Sequence, residues 1–359
     1  MKSHETHSGK VKKSGQLQGL NQLRFLAAVL VFTQHAISNS HADAWIDVAG
    51  FRIGRIGTAM FFLLSGFLAA ATTREPLTWL KSRIAVLFPP YWIVTIAGFI
   101  LAGVTATKSF DVWQVVSQMA GTGYFTHGDH IVNVATWFVS PLLALYGVVT
   151  LIRLTSPRLA LPLVIAATVA SSLTIASDFA ALHCHCVTFF MAFAVASIPD
   201  RNRTTAAACM AVSLLTLCLF QPEFRYGTLA SCLLVPALHV RKEIRACNWF
   251  SSIAYEWFLV HGLCLAIVSH LTQLPTVIFV VGAILSVIGA MVLKNLVQIA
   301  GKLFSGRQDQ VSQATGLNDG IPRRRFSVET QRRTLPKTKC GAASDTNQPV
   351  LVGSSEVNV

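Results

Sequence analysis

Charge is what this 359-residue chain has least of: Asp, Glu, Lys and Arg together make up 13% of it, where an ordinary soluble domain carries about 25%. That is too little to cover a water-facing surface, and a soluble globular protein is excluded. Acidic residues are the scarcer half, 16 against 29 Lys and Arg. The eight cysteines show no framework spacing. Cys209, Cys218, Cys232 and Cys264 fall inside apolar runs, where Cys behaves as a small hydrophobe, so a disulfide-stapled fold is excluded as well. No internal repeat is visible, which argues against a repeat-built transporter. A disordered chain, a coiled coil and collagen fail on composition.

What the chain has instead is long apolar runs, with 53% hydrophobic residues and a mean hydropathy of +0.54. A spanning helix needs about 20 mostly apolar residues. On that measure the chain reads as an all-α, polytopic integral membrane protein with about ten transmembrane helices, starting near Leu20, Gly57, Leu87, Ala135, Leu159, Cys184, Thr205, Tyr226, Phe250 and Pro275. The fifth to eighth have weakly polar flanks, and a re-entrant helix is the alternative there.

Net charge is +13, which in a soluble protein would point to nucleic acid. Here the distribution decides. With alternating loops and the N-terminus inside, fifteen Lys and Arg before the tail fall on the inner side. Only Arg52, Arg55, Lys108 and Arg225 fall outside. This positive-inside bias puts both termini in the cytoplasm and requires no nucleic-acid partner. Residues 1–19 read as a cytoplasmic N-terminal segment, 20–294 as the membrane domain, and 295–359 as a polar, basic, disordered cytoplasmic tail. Arg323, Arg324, Arg325, Arg332 and Arg333 of that tail suit either solvent or anionic lipid. Lys10–Lys13, an apolar stretch and Ala42-Asp43-Ala44 imitate a signal peptide. The stretch exceeds fifteen residues, so an uncleaved first span is the better reading.

That first span reads LNQLRFLAAVLVFTQHAIS. Arg24 and His35 are eleven residues apart, which puts them on one helical face about 16 Å apart along the axis. Intramembrane ionisable groups are costly and usually face a polar cavity. In the second span Ser65 and Gly66 permit close helix approach. In WLKSRIAVLFPPYW, the prolines 89 and 90 suit a first helical turn, so an interfacial segment carrying Arg83 is expected to end there and a span to begin. His183-Cys184-His185-Cys186 has ligand types that suit zinc. Its alternating spacing does not match structural C-x₂₋₄-C pairs, and a local outer loop is preferred, so no metal site is assigned. His127, Asp129 and His130 fall in a long outer loop, where acceptor binding has no motif to support it.

Taken together, LRFLAAVLVFTQH, FFLLSGF, SRIAVLFPPYW, TWFVSPLLALY and SIAYEWFLVHG resemble, in order and spacing, the integral-membrane acyltransferase family 3, over roughly residues 17–293. Arg24 with His35, and the FF-x-x-SGF element at Phe61, Phe62, Ser65, Gly66 and Phe67, are the most specific matches. The resemblance implies transfer of an acyl group, most commonly acetyl, from cytoplasmic acyl-CoA to a sugar hydroxyl, with His35 and Arg24 essential and Arg83 functional. Glu256 and His261 match the family's C-terminal element, and Glu256, its one acidic residue, is a candidate for a catalytic part. Ser65, Trp137 and Tyr91 are candidate channel or support positions. The chain departs from many members at Val86, where a second Arg is usual, and at Leu142, where a Glu is usual. Trp137, Phe138, Leu142, Leu143 and Tyr146 instead resemble a subgroup without that Glu.

A sugar hydroxyl must lose its proton as it attacks a thioester, and an imidazole with a pKa near 6.5 suits that task. His35 is therefore expected to act as general base, with an acyl-His intermediate as the variant. Arg24 and Arg83 suit the phosphates of the donor, which forked guanidinium donors bind bidentately. The expected partners are acyl-CoA as co-substrate (acetyl-CoA above all), a lipid-linked or polymeric sugar acceptor such as an exopolysaccharide or other surface glycan, the bilayer, and polysaccharide assembly proteins, at the inner membrane. No permanently bound cofactor is expected. The competing readings are a multi-pass transporter or flippase for a lipid-linked glycan, and an inactive family member acting as an assembly partner.

Overall fold

The computed structural model describes residues 5–40, 52–105, 109–128, 130–155, 162–166 and 180–314. These are helical, with no strand among them: α1 (Glu5–Asn39), α2 (Ile53–Ala70), α3 (Pro76–Thr105), α4 (Val112–Met119), α5 (Gly123–His127), a 3₁₀ turn (Val134–Thr136), α6 (Val139–Leu154), α7 (162–166), α8 (Ala180–Ser197), α9 (Asp200–Phe220), α10 (Phe224–Ala237), α11 (Arg245–Ser251), α12 (Ala254–Leu271) and α13 (Pro275–Ala314). Among the described residues six segments are long and apolar enough to cross a membrane: Ile53–Ala70, Pro76–Thr105, Val134–Leu154, Asp200–Phe220, Ala254–Leu271 and Pro275–Lys302. The chain is a multi-pass helical membrane protein.

The difference from ten has physical reasons. In α1 the apolar stretch carries Asn21, Gln22, Arg24, Gln34 and His35, which dilute its hydropathy. The run from Tyr226 is a 14-residue helix, α10, about 21 Å long at 1.5 Å per residue and short of the roughly 30 Å hydrocarbon layer. Most of the run from Leu159 lies outside the described residues. Helix α13 runs on past 294 to Ala314, and the stretch after it lies outside the described residues.

The interior is two packed clusters that share α1 and α2. Leu20, Leu23, Met60, Leu63, Leu214 and Leu234 represent one, and Phe32, Phe62, Trp79, Tyr146, Leu259 and Leu265 the other. Close backbone approach depends on glycine. A Cβ on Gly66 would lie 2.1 Å from the carbonyl oxygen of Phe189 in α8, and one on Gly57 would lie 2.4 Å from that of Ala27 in α1. The close contact expected at the SGF element is therefore present, with α8 as the partner. In a bilayer such contacts gain dispersion rather than hydrophobic energy, so small residues are what make them available.

Three expectations are corrected. Helix α3 runs unbroken through Pro89 and Pro90 rather than starting there. Proline removes a backbone donor and pushes the preceding turn's carbonyls outward, which hydrocarbon tolerates only when a neighbour satisfies the freed groups. The carbonyls so freed are those of Ala85 and Val86; one residue on, the Tyr255 hydroxyl of α12 donates to the Leu87 carbonyl at 2.8 Å and ties α12 to this part of α3. Second, His183–Cys186 lie within α8, not in a loop. His183 bonds Gln221 at 2.7 Å, whereas His185 stacks on Phe62 at 5.1 Å, so the two imidazoles serve different neighbours. Third, the segment after the third span is not one long loop: it holds α4, with a capping box formed by Asp111 and Gln114, and α5. Asp129 lies outside the described residues.

Candidate active site

Two cavities lie along the face of α1 that carries Arg24 and His35. The first, ≈ 260 Å³, is enclosed by α1, α2, α3, α6, α12 and Ser251 at the end of α11. Arg24 and Arg83 both line it, joined by Ser65, Tyr146 and Tyr255, and no carboxylate does. Arg24 Nη1 donates to Ser251 Oγ at 2.5 Å. That hydroxyl donates to Asn21 Oδ1 at 3.0 Å, Asn21 donates to Asn248 at 2.9 Å, and Asn248 donates to Glu243 at 2.7 Å. Three neutral side chains, Ser251, Asn21 and Asn248, thus stand between the guanidinium and the Glu243 carboxylate, and Arg24 is fixed without being paired to it. Arg83 rests against Trp79, 5.8 Å from the ring centre, and its buried Nε has no hydrogen-bond partner among the described residues. Tyr146 lies between them, its hydroxyl facing Ser65 and within Coulombic reach of both guanidinium groups. Among the described residues neither Arg24 nor Arg83 forms an ion pair. Two like charges held in a small, largely apolar space leave most of their ten N–H donors for an anion.

The second cavity, ≈ 840 Å³, opens near the other end of α1. His35 lines it with Ser38, Asn39, His270 and Gln273, a neutral hydrogen-bonding surface. Gln34 places this level of α1: its Oε1 accepts from the Gly54 amide at 3.3 Å, one of the orphan donors at the start of α2. Asn133 closes the side, donating to the Leu259 carbonyl at 2.8 Å and accepting from the Ala135 amide at 3.0 Å.

His261 sits between the cavities. It is 0% exposed, its ring centre is 5.2 Å from that of His35, and it stacks on Trp257 at 5.5 Å and 20°. No side chain hydrogen-bonds either ring nitrogen among the described residues; the polar groups that face the imidazole are the Trp257 and Phe258 backbone of its own helix.

Of the residues singled out in the sequence, the structure brings Arg24, Arg83 and Ser65 into one cavity and His35 into the other. Glu256 lines neither; it is half-buried on another face of α12, on the side of Lys294. Trp137 also lines neither and packs against Tyr124 at 5.1 Å and Phe62 at 6.1 Å. Tyr91 donates to the Gln118 carbonyl and ties α3 to α4, outside both cavities. Sequence reasoning missed Ser251, Tyr255 and Phe258 as cavity residues. Tyr255 and Phe258 lie inside the SIAYEWFLVHG element without a role, and Ser251 just before it; all three reach the site through α11 and α12, more than two hundred residues from Arg24. Tyr146 and His261 appeared in the motifs without a role.

The structure thus defines a class by its fold and site: a many-helix membrane protein with two arginines lining one cavity and an imidazole pair beside another. The family is more definite. A family model described as an acyltransferase domain matches residues 17–295, and the chain belongs to this acyltransferase 3 family. No curated protein and no solved structure matches it.

Proposed function

We propose that the protein transfers an acetyl group from cytoplasmic acetyl-CoA to a sugar hydroxyl of an exopolysaccharide or other surface glycan, at the inner membrane. An N-terminus on the inner side would present the Arg24 cavity to the cytoplasm and the His35 cavity to the opposite side. The observation that carries this reading is the division of labour along α1. Two guanidinium groups without a carboxylate share one cavity, and a half-buried imidazole lines a second, neutral one.

In this mechanism Arg24 and Arg83 hold donor phosphates by charge-assisted, forked hydrogen bonds. The acceptor sugar enters the neutral cavity, where Ser38, Asn39 and Gln273 suit hydroxyl groups. His35 takes the proton of the attacking hydroxyl as its oxygen bonds to the thioester carbonyl carbon. Collapse of the tetrahedral intermediate breaks the C–S bond, and the CoA thiolate leaves and takes up a proton. A general base of this kind contributes about 10²–10⁴-fold. Glu256, which lines neither cavity, is assigned no step in this reading.

The test is the purified protein in vesicles with acetyl-labelled CoA and a lipid-linked glycan fraction. Label should reach the glycan and fall by about 10²–10⁴-fold in His35→Ala, with the variant still inserted and monodisperse. Glycan translocation without label transfer would refute the reading and favour a flippase.

A further inference from the structure

Between the cationic cavity and the imidazole pair stands a row of three phenyl rings from three separate elements. Phe258 of α12 is 4.8 Å from Phe61 of α2 at 81°, and 4.5 Å from Phe138, just before α6, at 78°. All three face the Arg24–Arg83 cavity. Phe258 and Phe138 are 4% and 8% exposed, so the row is packed rather than loose. Beyond it the order is fixed by contacts: Phe258 to His261 at 5.4 Å, then His261 to His35 at 5.2 Å.

This arrangement constrains the donor. If the phosphates are held at the two arginines and the attacking hydroxyl is activated at His35, the thioester and its acyl group must occupy the stretch between, which is the phenyl row. Every additional methylene then needs space that the rings already fill. Edge-to-face rings interlock, so one cannot rotate away without displacing the next. We infer that Phe61, Phe138 and Phe258 set the acyl-chain length, restricting the protein to acetyl and excluding medium-chain donors such as hexanoyl-CoA. This rests on the donor reading above and adds the residues that select the acyl group. A single surplus methylene in a tight apolar site costs about 10–200-fold in discrimination, so hexanoyl should fall below detection beside acetyl.

The experiment compares acetyl-, butanoyl- and hexanoyl-CoA as donors for the full-length protein, its Phe258→Ala and Phe138→Ala variants, and Phe258→Leu, a milder truncation in case the first two do not fold. A control, Phe99→Leu, alters a ring that packs on Phe110 away from the row. The hexanoyl-to-acetyl ratio should rise at least tenfold in the Phe258 and Phe138 variants, less in Phe258→Leu, and stay put in the control. Wild-type protein that transfers hexanoyl as readily as acetyl would overturn the inference, as would an unchanged ratio in folded, active row variants. No transfer from any donor by the wild type would instead refute the donor reading on which the inference stands.

Discussion

Removing one of the two cavity arginines offers the sharpest test of what that cavity is for. Arg24 and Arg83 share a space of ≈ 260 Å³ that no carboxylate lines, and Arg24 already spends one N–H on Ser251. Each guanidinium therefore destabilises the other until an anion arrives. A hydrogen bond to a charged group contributes about 1.5–3 kcal/mol, and 1.4 kcal/mol corresponds to tenfold. Arg83→Met should raise the KM for acetyl-CoA by about 10–150-fold. Its effect on kcat should be smaller, because phosphate contacts far from the thioester act in ground and transition states alike. The same change should leave the unliganded protein as stable as wild type or more so, since a buried like-charge pair is dissolved and the methionine keeps the apolar stem. Saturating CoA protects only what binds it, by about 2.7 kcal/mol at one hundred times Kd, so the thermal shift on adding CoA should shrink in parallel. Arg24→Lys, which keeps charge but loses the fork, should fall between wild type and Arg24→Met. Detergent-purified protein with steady-state kinetics and a thermal-shift titration decides it. An unchanged KM in a folded Arg83→Met protein, or an unliganded form that loses several kcal/mol, would show that Arg83 is structural.

Other outcomes follow from the packing. Gly66→Ala forces a Cβ to 2.1 Å from the Phe189 carbonyl oxygen, and should cost at least the 1–3 kcal/mol of an overpacked core, read as lower thermal stability in detergent. Tyr255→Phe removes the hydroxyl that donates to the Leu87 carbonyl at 2.8 Å, and should cost about 1 kcal/mol, the net worth of one hydrogen bond. It should also loosen α3 near Pro89, seen as faster hydrogen exchange there. Outside the spans, Glu75 caps α3: the Thr78 and Leu77 amides donate to its carboxylate at 2.6 and 3.0 Å, and hold its pKa below the ordinary carboxylate value. A lowered carboxylate pKa stabilises above the unfolded value and is lost as pH falls through the folded one. The first turn of α3 should therefore fray only below about pH 4.3, with Glu75→Ala removing the dependence; amide exchange at Thr78 reports it.

The sequence made the helical class, the membrane character and the Arg24–His35 face legible, because each depends on composition or on a periodicity within one segment. It also located Gly66 as a contact point, since a small residue in an apolar helix has few other uses. The helix through Pro89 and Pro90 was not legible. Local rules place a start at such a pair, and the contacts that hold α3 there, such as the Tyr255 hydroxyl on the Leu87 carbonyl, come from 168 positions away. His183–Cys186 went wrong for a related reason: polar ligand types imitate a loop, while their satisfaction by Gln221 and Phe62 is tertiary. The separation of Arg24 from His35 into two cavities could not be read either, because the dividing rings belong to α2, α12 and the turn before α6.

The run of amide and hydroxyl groups behind Arg24 has an effect reaching well outside the pocket. Its far member, Glu243, belongs to the connection between α10 and α11, and Lys242 of that connection offers its carbonyl to Gln22 at 3.0 Å. This short surface strap thereby grips one turn of α1 at two neighbouring points. Whatever shifts the strap, a lipid headgroup or another protein, re-aims a positive charge buried several side chains away, so the orientation of the pocket's cation is decided partly at the membrane surface.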